Sequence, residues 1–170
     1  MQFYAYDGAL SDALMEYISA GIRAGDTCVV IGTRRHMQRL DNALLEAGVN
    51  IFSARTSGQY ITADAEGAVA SFMIDGLPDR NRFSEVIEGV LAVAARRGKP
   101  IRAFGEMVAV LWNEGNTEGM LQLEELWNGL AKKYSFALYC AYPEMQFDRS
   151  IHAATIDKII GCHSLVTQSC

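Results

Sequence analysis

Thr27-Cys28-Val29-Val30-Ile31-Gly32 carries no charge and places four apolar side chains in succession. A strand with one wet face alternates apolar and polar residues, because successive side chains point to opposite sides. An unbroken apolar run is instead the pattern of a strand covered on both faces, as in a parallel sheet. Phe136 to Tyr142 (Phe-Ala-Leu-Tyr-Cys-Ala-Tyr) repeats that pattern and is the strongest such run in the chain.

Working outward from these two runs, short apolar strands alternate with amphipathic helices. Gln2 to Tyr6 reads as a first strand. A helix follows with Leu10, Leu14, Ile18 and Ile22 on one face, and it stops at Ala24-Gly25-Asp26. After the Thr27 strand, Thr33 is expected to cap a helix that buries Leu40, Leu44 and Ala47. Tyr60 to Thr62 reads as a strand, Asp64 to Met73 as a helical turn, and Gly76-Leu77-Pro78-Asp79 as a break. Asp79 is placed to cap a long helix with Phe83, Ile87, Val90, Leu91 and Ala94 inward and Arg96-Arg97 at its end. Ile101 to Phe104 is a strand and Glu106 to Asn113 a short helix. Thr117 to Lys133 is a helix with Met120, Leu123, Trp127 and Leu130 inward. Ile151 to Ile160 reads as a last helix and Ser164-Leu165-Val166 as an edge strand. The expected fold is a three-layer α/β domain over residues 1–170, with a mostly parallel sheet and helices on both faces.

Composition narrows the function. The chain has 170 residues, 50% of them apolar and 21% charged, enough for one substantial core. Its net charge is −5, and its basic residues are scattered rather than gathered in a stripe that could neutralise phosphates. Direct nucleic-acid binding is therefore not expected. Cys28, Cys140, Cys162 and Cys170 form no CxxC pair, which is a reduced, intracellular pattern. Neither a signal peptide nor a membrane-spanning run is visible, so a cytoplasmic location without membrane contact is expected.

In a parallel sheet, ligands bind beyond the carboxyl ends of the strands. That rule selects the loops after Tyr6, Gly32, Phe104 and Tyr142. The first of them, Tyr6-Asp7-Gly8-Ala9-Leu10-Ser11, holds one glycine and no lysine, and Asp7 would repel phosphate. A phosphate-binding P-loop is thus absent. Phe104-Gly105-Glu106-Met107 places a carboxylate just past a central strand, with Gly105 permitting close backbone approach. Glu106 is either a ligand-facing group or a helix-start carboxylate favoured by the dipole, and position alone leaves both open. Trp112 and Asn113 lie one helix further on, where Trp112 could wall a pocket or fill the core. The histidines are His36, His152 and His163. No ligand spacing resembles a metal site, a GxSxG elbow is absent, and no cofactor is expected.

Phe104-Gly105-Glu106-Met107-Val108-Ala109-Val110-Leu111-Trp112-Asn113-Glu114-Gly115-Asn116, Leu123-Glu124-Glu125-Leu126-Trp127-Asn128 and Leu138-Tyr139-Cys140-Ala141-Tyr142-Pro143 together resemble the MEDS domain. That sensory module is named for methanogens, methylotrophs and the regulator of dichloromethane dehalogenase. Phe3-Tyr4, Ala20 to Gly25, Phe72 to Gly76 and Cys162-His163-Ser164 extend the likeness over nearly the whole chain. The resemblance implies a RecA/KaiC-like fold without the phosphate loop. It also implies a sensor of simple hydrocarbon derivatives that serves a histidine kinase or DNA-binding regulator. Family members often carry a histidine shortly before the Phe-Tyr pair, whereas this sequence opens with Met1-Gln2. A stand-alone protein or excised domain is expected, needing an output partner, and such sensors usually relay through a homodimer.

The expected ligand site comprises Tyr6, Asp7, Thr33, Glu106, Trp112, Asn113 and Tyr142, with no catalytic residue among them. An interaction module that lost its ligand is the first alternative. An enzyme using Glu106 is the second, and it requires a further catalytic group within hydrogen-bond reach, for which Asp7 is the candidate.

Overall fold

The computed structural model describes residues 2–4, 7–143, 149–161 and 167–168. Its first half contains β1 (Gln2–Tyr4), α1 (Asp7–Ala24), β2 (Thr27–Gly32), α2 (Arg34–Glu46), α3 (Ile51–Thr56), β3 (Tyr60–Asp64) and α4 (Ala65–Phe72). Next come β4 (Met73–Ile74), β5 (Leu77–Pro78), α5 (Arg80–Ala95), β6 (Ile101–Gly105) and α6 (Met107–Asn113). The last elements are α7 (Thr117–Lys133), β7 (Phe136–Pro143), α8 (Arg149–Gly161) and β8 (Thr167–Gln168).

Six strands form one sheet in the order β3-β2-β6-β7-β1-β8, and every pairing within it is parallel. Helices cover both faces, which is the three-layer α/β arrangement that the unbroken apolar strands require. Alternation along β2 shows how the layers are fed. Val29 and Ile31 join a core with α4, α5, α6, α7 and α8. Cys28 and Val30 join a second core with α1, α2 and α3. Each of the six β2 residues is buried.

Helix faces follow the expected spacing. Leu10, Leu14 and Ile18 of α1 are buried, as are Phe83, Ile87, Leu91 and Ala94 of α5 and Met120, Leu123, Trp127 and Leu130 of α7. Asp79 caps α5 by accepting the Arg82 N–H at 2.9 Å. Trp127 is the largest fully buried side chain. It meets Phe83 edge-on at 5.7 Å and Phe136 at 6.1 Å, joining α5, α7 and β7 across one core.

Four details differ from the sequence reading. Ala47 is exposed because α2 ends at Glu46, and Val49 takes the buried place after the turn. Val90 is only half-buried, on the flank of the α5 stripe. The six-residue α3 is too short for a periodic pattern; it starts where the Asn50 side chain accepts the Ser53 N–H at 2.9 Å. The break at Gly76 is a hairpin, β4 against β5. Its turn residues Asp75 and Gly76 both take positive φ, 50° and 81°, the Asp-Gly combination that two-residue hairpins favour. Asn116 Nδ2 donates to the Gly76 carbonyl at 2.7 Å and ties that hairpin to the start of α7. The expected strand at residues 164–166 lies outside the described residues; β8 pairs with β1 immediately beyond them.

Trp127→Ala is expected to cost about 3–5 kcal/mol, because a large void opens among aromatic neighbours that cannot collapse. Leu45→Ala, at a side chain already in water, should stay within about 0.5 kcal/mol of wild type. Urea denaturation of the two variants checks the contrast.

Candidate functional site

The site is built where β2 and β6 end side by side, with Ile31 paired to Gly105. The Glu106 N–H donates to the Ile31 carbonyl at 2.9 Å, extending the ladder by one bond before the chain turns into α6. Gly105 faces Trp127 on the α7 side, so the next side chain turns toward α2. Glu106 is 3% exposed. A buried carboxylate must have donors, and here the two oxygens have different ones. Oε2 accepts the Thr33 N–H at 2.7 Å. Oε1 pairs with Nδ1 of His36, in the first turn of α2.

Gly32 lines this contact. A Cβ on it would lie 3.2 Å from Met37 Cγ and 3.5 Å from Glu106 Oε2. Thr33 does stand at the N-cap of α2, but its side chain makes no cap bond. Its own N–H is held by Glu106 instead, which anchors the residue before the helix without capping the helix N–H groups. The carboxylate thus reaches across from β6 and fixes the start of a helix on the neighbouring strand.

Asp64 ends β3 in register with Gly32, on the other side of the same loop. Its Oδ2 lies 3.6 Å from Arg34 Nε, whose side chain is 85% exposed, so this ion pair contributes little. Oδ1 of Asp64 is buried with no hydrogen-bond partner among the described residues.

The expected site residues divide between the two faces of the sheet. Thr33 and Glu106 come together. Trp112 packs in the core of the α4–α8 layer, and Asn113 is exposed at the end of α6. Tyr142 is buried on that same layer's side of β7, away from Glu106. Tyr6 lies outside the described residues; Asp7 begins α1, and its side chain is likewise outside them. His36 was missed as a site residue. The signal was present: it sits three residues past Thr33, at the carboxyl end of a strand that the fold rule had already selected. Among the described residues no group of three or more His, Cys, Asp and Glu is placed to hold a metal ion.

A second buried carboxyl lies across the sheet. Glu124 projects from the inward stripe of α7 and accepts the Tyr142 hydroxyl, beside the buried Cys140 of β7. Burial pushes the Glu124 carboxyl from an ordinary 4.5 up to about 8. Desolvation penalises its charged form, so the folded protein keeps a proton that the unfolded chain releases. Between these two values the folded state binds more protons, and stability must fall as pH rises. Thermal melts should show that decline from about pH 5 to pH 8, at up to about 1.4 kcal/mol per pH unit. Glu124→Gln, neutral throughout, should flatten it.

No curated protein and no solved structure matches this chain. A family model does: MEthanogen/methylotroph, DcmR Sensory domain (MEDS), over residues 1–164. No helix among the described residues is long and apolar enough to cross a membrane. The match spans nearly the whole chain, both sheet faces and the Glu106 loop, and the chain belongs to the MEDS family of sensory domains.

Proposed function

We propose that this protein is the cytoplasmic small-molecule-binding domain of a prokaryotic signalling system. In this reading it senses a simple hydrocarbon derivative and relays occupancy to a histidine kinase or DNA-binding regulator. The carrying observation is Glu106, a buried carboxylate held by the Thr33 N–H and His36 at the carboxyl ends of central parallel strands. Strand ends of this kind are where α/β folds place their ligands. A fixed polar group within an apolar domain supplies orientation and specificity while the hydrocarbon part supplies burial.

The same pair supports a second reading. An imidazole oriented by a carboxylate is also the arrangement of a general base, and His36 lies within hydrogen-bond reach of Glu106. We rank binding above catalysis because the sensory family match covers the whole site.

Native mass spectrometry of the purified protein, followed by identification of any released compound, tests the first reading. A bound ligand at a hundred times its Kd should stabilise the fold by about 2.7 kcal/mol. Glu106→Ala should abolish that thermal shift and leave a cooperative unfolding transition. A shift preserved in the variant would remove Glu106 from the site, and chemical conversion of the released compound by the protein would favour the enzyme.

A further inference from the structure

We infer that the free edge of β3 is the surface on which a second copy of this chain docks, the two β3 strands running antiparallel about an axis at Thr62. The inference stands apart from the ligand reading. Its basis is a sheet edge without the usual protection. The sheet ends on one side at β8, whose described part is two residues long, and on the other at the five-residue β3. Very short strands, lysines, prolines and bulges are how soluble proteins blunt such an edge. Tyr60-Ile61-Thr62-Ala63-Asp64 has neither lysine nor proline, and it pairs with Cys28 to Gly32 residue for residue, without a bulge. Ile61 to Asp64 are only half-buried, so water reaches the strand.

The edge is also self-complementary. The Gln59 carbonyl accepts the Cys28 N–H at 2.7 Å, so the odd-numbered residues of this strand turn their backbone groups to β2. Tyr60, Thr62 and Asp64 turn theirs outward, because the direction alternates along a strand. Those are the groups an antiparallel copy needs: Thr62 meets Thr62 on the axis, and Tyr60 meets Asp64 on either side of it. Thr62 shares the α1–α3 face with Tyr60, and threonine against threonine is a favourable cross-strand pair. Charge selects the antiparallel sense. At the start of β3, Arg97 packs against Gly58 and bonds a carbonyl and a hydroxyl, with no carboxylate partner among the described residues. Arg55, nearby, is already paired with Asp41. At the end of β3 stand the exposed Glu66 and Asp64, whose cation Arg34 lies 3.6 Å away on an 85% exposed side chain. Pairing about Thr62 brings the Glu66 end of one copy to the Gly58–Arg97 end of the other, twice over. A parallel arrangement would set like ends together. Because β3 adjoins β2, this interface lies one strand from the Thr33–Glu106 contact.

Sedimentation equilibrium of the full chain, from micromolar to millimolar concentration, reads the assembly, and thermal melts check that each variant folds. The wild type is expected to approach twice 18.7 kDa and to dissociate more readily as salt rises. Thr62→Pro removes the outward N–H of each copy but no bond to β2, and Thr62→Lys sets two ammonium groups face to face. Each should raise the Kd of the dimer about tenfold or more and keep a cooperative melt. Thr62→Cys reads the register independently of affinity: across the axis the two Cα atoms would stand about 5.5 Å apart, within disulfide range. On mild oxidation it should cross-link beyond the level that the native cysteines give in the wild type. Ala63→Cys, which faces Ile61 across the axis, should not. A wild type that stays at 18.7 kDa throughout would overturn the inference. So would a dimer whose Kd neither Thr62 variant changes, or cross-linking by Ala63→Cys equal to that by Thr62→Cys. Should both Thr62 substitutions unfold the chain, the cross-linking contrast alone decides. Ligand binding is read separately, by native mass spectrometry, so either reading can fail without the other.

Discussion

The carboxylate of Glu106 is the constraint on which the carboxyl end of this sheet depends. It is buried, so it must be met by donors, and the two it receives come from a different strand and helix. One is a backbone N–H at the end of β2; the other is an imidazole in the first turn of α2. The contact ties β6 to the β2–α2 turn and sets where α2 begins. The energetic asymmetry explains why such a group organises its surroundings. A satisfied bond contributes little net stability, whereas an uncompensated buried carboxylate is costly.

The sheet divides the polar interior into two separate parts. On the α1–α3 side lies the Glu106 group. On the α4–α8 side, Glu124 and Tyr142 form a pair on the inner face of α7, where burial favours the neutral acid. A similar device closes the amino-terminal ends of the strands. Arg102 Nε donates to Asp26 at 2.7 Å, its guanidinium lies over the Tyr17 ring, and Arg97 bonds the buried Thr27 hydroxyl at 3.1 Å. Paired polar groups thus stand at both ends of the sheet, and the apolar residues between them fill the two cores.

Much of the architecture was legible from periodicity. The unbroken run at Thr27 implied a strand covered on both sides, and the stripes of α1, α5 and α7 were read almost residue by residue; the run at Phe136 is fully buried only at Cys140, Ala141 and Tyr142, with Ala137 exposed. Short elements were not legible. Six residues of α3 contain less than two full turns, too few to show a period. The β4–β5 hairpin did carry a signal, Asp75-Gly76, but its strands are only two residues long and the turn read as a plain break.

For the site, the sequence by itself determined which loops matter: parallel strands offer their carboxyl ends, and Glu106 stands just past one of them. It also determined the family, through motifs spread along nearly the whole chain. Only the tertiary structure decided who shares a face. Side-chain direction reverses at every residue of a strand, so Glu106 turns to α2 while its neighbour Gly105 faces Trp127. That reversal brought in His36, seventy positions away in sequence, and sent Trp112 and Tyr142 to the opposite core. Spacing along the chain cannot encode such a meeting, because it depends on strand order and register, which are settled only when the whole sheet assembles.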